Sequence, residues 1–212
     1  MSTSLGPGDP LVTPVDLVSP WNVANYLTVL RLLLVPVFLV LLLARGGDDT
    51  GLRIAAAVIF AIAAYTDRID GQIARSRGLI TSFGKLADPI ADKALTGAAF
   101  VGLSLLDELV WPVTVLVLAR EVGITLLRFF VIRHGVMPAS RGGKLKTFLQ
   151  GIAIGLYVLP LSGSLASGRA VIMAVAVVVT VVTGLDYVVR AMTLRRTSER
   201  AAMKRARKAG AR

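Results

Sequence analysis

The sequence predicts an all-α integral membrane protein: a six-transmembrane-helix bundle behind a short N-terminal interfacial segment, with both termini cytoplasmic. Three observations predict it. Of the 212 residues 55% are hydrophobic, and the mean hydropathy of +0.72 lies outside the range of ordinary soluble domains. The apolar residues gather in segments of about twenty, long enough to cross a hydrocarbon core of ~30 Å, and show no alternation of the kind that marks strands. The 24 Lys and Arg residues fall mostly between those segments and at the C-terminus. That is a pattern of membrane topology, so no nucleic acid is expected as a partner.

Residues 1–24 form an N-terminal cytoplasmic or interfacial region. It carries Pro7, Pro10, Pro14 and Pro20 and no Lys or Arg, so its start is expected to be disordered, with Leu17 to Val23 lying on the membrane surface. With no basic stretch before the first apolar run and no small-residue cleavage site, a signal peptide is not expected. Residues 25–189 form the membrane domain. Its first span runs from Asn25 to about Ala44 and holds Thr28 and Arg31 three residues apart, hence on one helical face. Arg45 to Thr50, with Gly46-Gly47 and Asp48-Asp49, is a loop. A second span follows from about Leu52 to Ala74 and closes on the basic turn Arg75-Ser76-Arg77-Gly78. The third runs from about Phe83 to Leu106 and breaks at Asp107-Glu108.

The fourth span opens at Trp111-Pro112, ends near Arg133-His134, and carries Arg120, Glu121 and Arg128 in apolar surroundings. A fifth extends from about Lys144 to Pro160-Leu161, and the polar Ser162 to Gly168 connects it to a sixth, from Arg169 to about Val189. Residues 190–212 are a basic cytoplasmic tail with nine cations and one acid, Glu199, expected to be solvated or in contact with anionic lipid. No internal repeat is visible. Cytoplasmic termini put eighteen cations inside and only Arg45, Arg53 and Arg169 outside, with Arg31, Lys93 and Arg120 within spans; this excess sets the orientation.

The stretch from Asp67 to Asp92 stands out in this frame. It reads D-R-I-D-G-Q-I-A-R-S-R-G-L-I-T-S-F-G-K-L-A-D-P-I-A-D and puts four carboxylates, Asp67, Asp70, Asp88 and Asp92, near the ends of two apolar spans. An uncompensated charge there costs roughly 2.5–3.5 kcal/mol on insertion scales. Asp67 and Asp70 are three residues apart, and Gly84, Asp88 and Asp92 form an i, i+4, i+8 row. If the two helices run antiparallel through the short turn, all four acids converge one to three turns inside the cytoplasmic face. Like charges so close would drive protonation unless cations neutralise them. The chain has no cysteine and one histidine, His134, so the expected cofactors are hard divalent cations, Mg²⁺ or Mn²⁺. Gly71, Ala74, Gly84, Ala87 and Ala91 leave the backbone open to a flat ligand, and Arg75 lies four residues after Gly71, where it can meet phosphate oxygens. Together these residues suit a pyrophosphate or nucleotide bound through metal.

In full spacing the stretch is D-x2-D-G-x2-A-R-x8-G-x3-D-x3-D, and it resembles the signature of the CDP-alcohol phosphotransferase family at all eight specified positions. The resemblance implies an intramembrane enzyme that uses two divalent cations to displace CMP from a CDP-linked lipid with an alcohol. It implies Asp67, Asp70, Asp88 and Asp92 as metal ligands, with Asp92 the general base for the attacking hydroxyl. It also implies that Asp67, Gly71, Ala74, Arg75 and Gly84 border the CDP moiety. Arg68 stands where members of the family often carry an aromatic or apolar residue, and has no assigned role.

The likeness extends to N-Y-L-T-V-L-R (Asn25 to Arg31), D-P-I-A-D-K ending at Lys93, the A-R-E run with Arg120 and Glu121, and G-K-L-K-T (Gly143 to Thr147). These segments resemble the phosphatidylglycerophosphate synthase branch, most of all its actinobacterial members, from about Asn25 to Tyr187. That branch implies CDP-diacylglycerol and sn-glycerol 3-phosphate as substrates, membrane lipids as surroundings and a homodimer as the assembly. The residues themselves offer a cationic pocket for an acceptor bearing its own phosphate: Arg120, Arg128, Lys144 and Lys146, with Thr28 and Arg31 assigned to the same role. The competing reading makes Arg31 and Arg120 structural partners of Glu121 or an aspartate, and the lysines positive-inside anchors. Rival functions are a cardiolipin synthase, a phosphatidylinositol phosphate synthase and, from another class, a divalent-cation transporter. A transporter would be expected to show repeated halves or broken helices on both sides of the midplane, whereas these acids gather on one side. The expected place is the plasma membrane, multi-pass, with the active site facing the cytoplasm.

Overall fold

A computed structural model of the chain describes residues 23–76, 82–131 and 141–209, with side-chain surroundings within 25–66, 90–127 and 142–194. Among these the regular structure is all helical: α1 Val23–Leu43, α2 Thr50–Ser76, α3 Ser82–Leu105, α4 Trp111–Val131, α5 Arg141–Val158 and α6 Ser164–Ala209, with a 3₁₀ turn over Ala44–Gly47. The chain divides into two compact units, Met1–Ala99 and Phe100–Arg212.

In the first unit α1 lies along α2. Phe38 and Leu42 from α1 and Ala56, Phe60 and Ala63 from α2 are buried, and the Phe38 and Phe60 rings meet at 5.7 Å in a tilted pair. Small alanines opposite large rings let the two helices approach closely. The reversal between them is tight. Arg45, Gly46 and Gly47 all take the left-handed conformation, with φ of 54°, 69° and 81°, and the non-glycine among them, Arg45, is tethered to Asp49 at 3.0 Å.

Asp49 starts α2 by accepting the Leu52 backbone N–H on Oδ1 at 3.0 Å, which is N-capping geometry. That hydrogen bond, followed by the nearby Arg45 charge, holds the Asp49 carboxyl below its ordinary value despite some desolvation. A lowered folded-state pKa means that the stabilisation is complete above the unfolded value near ~3.9 and is lost as pH falls through the folded value. Asp49→Ala is therefore expected to lower the thermal midpoint at pH 7, with the difference from the parent shrinking as pH falls below about 4. Melts of the two purified proteins across pH check this, and a difference that persists unchanged at low pH would refute it.

The second unit opens on the end of α3. Glu108 N–H donates to Leu103 O at 3.0 Å and Asp107 N–H to Ser104 O at 3.2 Å, with Asp107 at φ 55°. This is a Schellman stop, with aspartate in a conformation it tolerates better than most side chains. It reverses the chain into α4, and the Ser104 and Thr114 hydroxyls then meet at 2.7 Å in a buried position. Both α4 and α5 pack on α6. At the loop end of this unit Arg169 pairs with Glu108 at 2.6 Å and lies 4.7 Å over the Tyr157 ring, tying α6 to the α3–α4 connection and to α5.

Beside this apolar core, several polar and charged side chains are buried while rows of large apolar ones are exposed. Arg31, Thr28, Asn25, Lys146, Gln150 and Thr180 are buried, while Ile54, Val58, Ile62 and Tyr65 on α2, and Val171, Val175, Val178, Val182, Leu185 and Val189 on α6, are exposed at helical spacing. Such a surface suits lipid. Among the described residues two helical stretches, Asn25–Gly47 and Ser164–Leu194, are long and apolar enough to cross a membrane, and Thr50–Thr66 is a shorter apolar one; the protein is membrane-associated.

Both ends of α6 differ from expectation, and its start lies at Ser164, inside the stretch expected to be a polar connection. α6 does not stop near Val189 but continues unbroken through the basic segment to Ala209, 46 residues in all or about 69 Å at 1.5 Å per residue. The physical reason is that hydropathy and helix propensity are separate properties. The tail is polar, yet Ala, Arg, Lys, Met and Leu dominate it and no Gly or Pro falls between Gly184 and Gly210.

Candidate functional site

The acidic stretch lies where two helices end and begin. Asp67, Asp70, Gly71, Ala74 and Arg75 occupy the last turns of α2, and Gly84, Asp88 and Asp92 the first turns of α3. The backbone is helical through both, so the predicted i, i+3 and i, i+4, i+8 intervals are helical intervals. The side chains of residues 67–89, and residues 77–81 altogether, lie outside the described residues. Asp92 itself is half-buried, directly after fully buried Ala91 and three residues before buried Leu95. Thr66, next to Asp67, is buried and turns its hydroxyl back onto Ile62 O at 2.7 Å. Among the described residues no group of three or more His, Cys, Asp or Glu side chains offers a metal site.

Also in the first unit, Asn25, Thr28 and Arg31 are buried at three-residue intervals along α1, and Arg31 has no exposed surface. The segment singled out for Thr28 and Arg31 thus forms a polar stripe turned away from lipid, and Asn25 belongs to it.

The second unit holds the cations of α4 and α5. Arg120 Nη1 donates to Glu121 Oε1 at 3.1 Å, and the Lys146 ammonium pairs with that same oxygen. Arg120 Nη2 reaches across to Thr183 Oγ1 on α6 at 3.2 Å. Thr183 can accept because its own proton goes to Val179 O at 2.6 Å. One helical step earlier Thr180 does the same, donating to Ala176 O at 2.6 Å and accepting from Gln150 Nε2 of α5 at 3.0 Å. Two threonines on one face of α6 therefore receive α4 and α5 side by side. Gly184 completes the arrangement: a Cβ there would stand 3.2 Å from both Cγ and Nε of Arg120.

Of the residues expected to form the acceptor pocket, Arg120 and Lys146 meet through Glu121. Lys144 is exposed on α5, and Arg128 lies on α4 with its side chain outside the described residues. Glu121 stood out in the sequence only as a possible partner for an arginine. Thr183 and Gly184 carry no charge to single them out, although V-V-V-T-V-V-T-G signals them: two threonines and a glycine interrupt an otherwise unbroken valine run.

Comparison with known proteins decides the family. The family model for CDP-alcohol phosphatidyltransferases matches residues 21–182. The chain belongs to the CDP-alcohol phosphatidyltransferase family. Among similar family members, a Mycobacterium tuberculosis protein named as a probable phosphatidylglycerophosphate synthase is 58% identical over 81% of this chain and 82% of its own. Two others are named CDP-diacylglycerol–glycerol-3-phosphate 3-phosphatidyltransferase. One, from Rickettsia typhi, is 39% identical over 78% of this chain and 94% of its own. The other, from Bacillus subtilis, is 35% identical over 79% and 93%. The matched region of the family model takes in the aspartate stretch, both cations of the Glu121 cluster and Thr180.

Proposed function

We propose that this protein transfers the phosphatidyl group of CDP-diacylglycerol to sn-glycerol 3-phosphate, giving phosphatidylglycerophosphate and CMP. The observation that carries the reading is the complete eight-position signature, helical throughout α2 and α3, in a chain whose similar relatives bear names for this reaction. Chain length supports it too, since those relatives are matched over most of their own length.

Asp67, Asp70, Asp88 and Asp92 form an all-carboxylate donor set, which fits Mg²⁺ or Mn²⁺ in a chain without thiols. When bound, two such ions supply neutralisation of the pyrophosphate charge. The residues of the chain do the rest. Asp92 accepts the proton of the acceptor hydroxyl as its oxygen bonds to the phosphorus that carries diacylglycerol, and the bond from that phosphorus to CMP breaks, CMP leaving with the electron pair. Gly71, Ala74 and Gly84 give the CDP moiety access to backbone, and Arg75 balances its phosphates. Arg120 and Lys146, with Arg128, Lys144, Thr28 and Arg31 as further candidates, receive the phosphate of the acceptor.

The same reading places six spans in the plasma membrane, with both termini and the aspartates on the cytoplasmic side, where soluble glycerol 3-phosphate is available. The eighteen-to-three distribution of cations supports that orientation. It divides the chain into residues 1–24, a membrane catalytic domain over 25–189 and a basic tail over 190–212, and takes the assembly to be a homodimer.

An acceptor panel tests the function. Membranes containing the protein, given CDP-diacylglycerol and Mg²⁺ or Mn²⁺, are expected to release CMP with glycerol 3-phosphate and not with inositol phosphate or phosphatidylglycerol. Release with only one of the latter two would move the chain to the corresponding synthase. No release with any acceptor would sink the enzyme reading and favour cation transport.

A further inference from the structure

We infer that Glu121 is a positioning residue for the acceptor's phosphate: together with Thr183 and Gly184 it sets where Arg120 and Lys146 stand. The inference rests on the reading that those two cations receive the acceptor. Its grounds are geometric. Arg120 and Lys146 come from different helices, 26 positions apart in sequence, and two like charges in a site of low polarity repel. They stand together because they share one oxygen, Glu121 Oε1. A single carboxylate therefore fixes the separation of two donors, which is the geometry a tetrahedral phosphate with several oxygens requires.

The three side chains are largely withdrawn from solvent, at 17% exposure for Arg120, 19% for Glu121 and 8% for Lys146. In such surroundings a misplaced long side chain is not rescued by water. The guanidinium is held from its other side by Thr183 on α6, and its Nε is buried with no partner among the described residues. That donor lies against the bare backbone of Gly184. The two cations are thus held in a fixed orientation, with Nε of Arg120 unused among the described residues, which suits a ligand with several oxygens.

The test uses the purified full-length protein in lipid, with CDP-diacylglycerol, glycerol 3-phosphate and Mg²⁺, measuring kcat and both KM values for the parent, Glu121→Gln, Gly184→Ala and Arg120→Ala. Glu121→Gln keeps the shape of the side chain and removes its charge. It is expected to raise KM for glycerol 3-phosphate about 10- to 100-fold, the scale of a charged hydrogen bond, with kcat and the KM for CDP-diacylglycerol changed little. Gly184→Ala pushes on Arg120 Cγ and Nε and is expected to raise the same KM several-fold, again without a matching fall in kcat.

An unchanged or lowered acceptor KM in both variants would overturn the positioning role, the lowered value showing instead that the carboxylate competes with the phosphate. A parallel loss in kcat and both KM values would also overturn it, in favour of a purely structural bridge. Should Glu121→Gln fail to fold, Gly184→Ala decides alone. Arg120→Ala separates the two levels: an acceptor KM unchanged in that variant removes the pocket reading itself, whereas a raised value with silent Glu121 and Gly184 variants removes only the positioning.

Discussion

Asp92→Asn is expected to lower CMP release by about 10²- to 10⁴-fold, the range lost when a general base is removed, while binding of CDP-diacylglycerol stays largely intact. The amide is close in size and shape to the carboxylate, so packing beside Ala91 and Leu95, which are buried, should survive. What it loses is the ability to take up a proton. A carboxylate is a weak base at neutral pH, but the acceptor hydroxyl needs a proton acceptor only as its oxygen bonds to phosphorus, and by then its acidity has risen. Measuring turnover and CDP-lipid binding on the same preparation checks both halves. Near-normal turnover would remove Asp92 from the base role, and joint loss of turnover and CDP-lipid binding would leave it a metal ligand alone.

Removal of divalent cations should have the other large effect. Chelation with EDTA is expected to abolish CMP release completely, and added Mg²⁺ or Mn²⁺ to restore it. Asp67, Asp70, Asp88 and Asp92 fall within 26 residues of sequence, in helical register on α2 and α3. Four ionised carboxylates cannot share a site of low polarity without countercharge, and a pyrophosphate brings further negative charge to it. Arg75 and Lys93 alone leave that balance strongly negative. Activity that persists in EDTA, after extensive washing, would refute the metal-dependent reading. Restoration by Zn²⁺ but not by Mg²⁺ or Mn²⁺ would refute the assignment of hard cations to an oxygen-only donor set.

Most of the architecture was legible in the chain because it depends on local chemistry. Apolar length marked the helices to within a few residues, and the break expected at Asp107-Glu108 is the Schellman turn that ends α3. The loop expected at Arg45 to Thr50 is the left-handed reversal and Asp49 cap between α1 and α2. The end of α6 was not legible by the same measure. A fall in hydropathy after Val189 reports where a helix leaves an apolar phase, whereas the helix continues for as long as each residue favours it, here to Ala209.

The two halves of the aspartate signature could be read directly because each lies within one helix, Asp67 to Arg75 on α2 and Gly84 to Asp92 on α3, where a spacing of three or four residues fixes a face. By itself the sequence determined the helical class and the family. Which basic residues stand together was beyond it. Arg120, Glu121 and Lys146 meet only because α4 and α5 both rest on α6, with Thr180 and Thr183 accepting from each in turn and Gly184 leaving room for Arg120. That meeting depends on the relative rotation and height of three helices. Rotation and height are set by close packing of side chains distant in sequence, so it was the tertiary structure that turned a scatter of cations into an oriented pair.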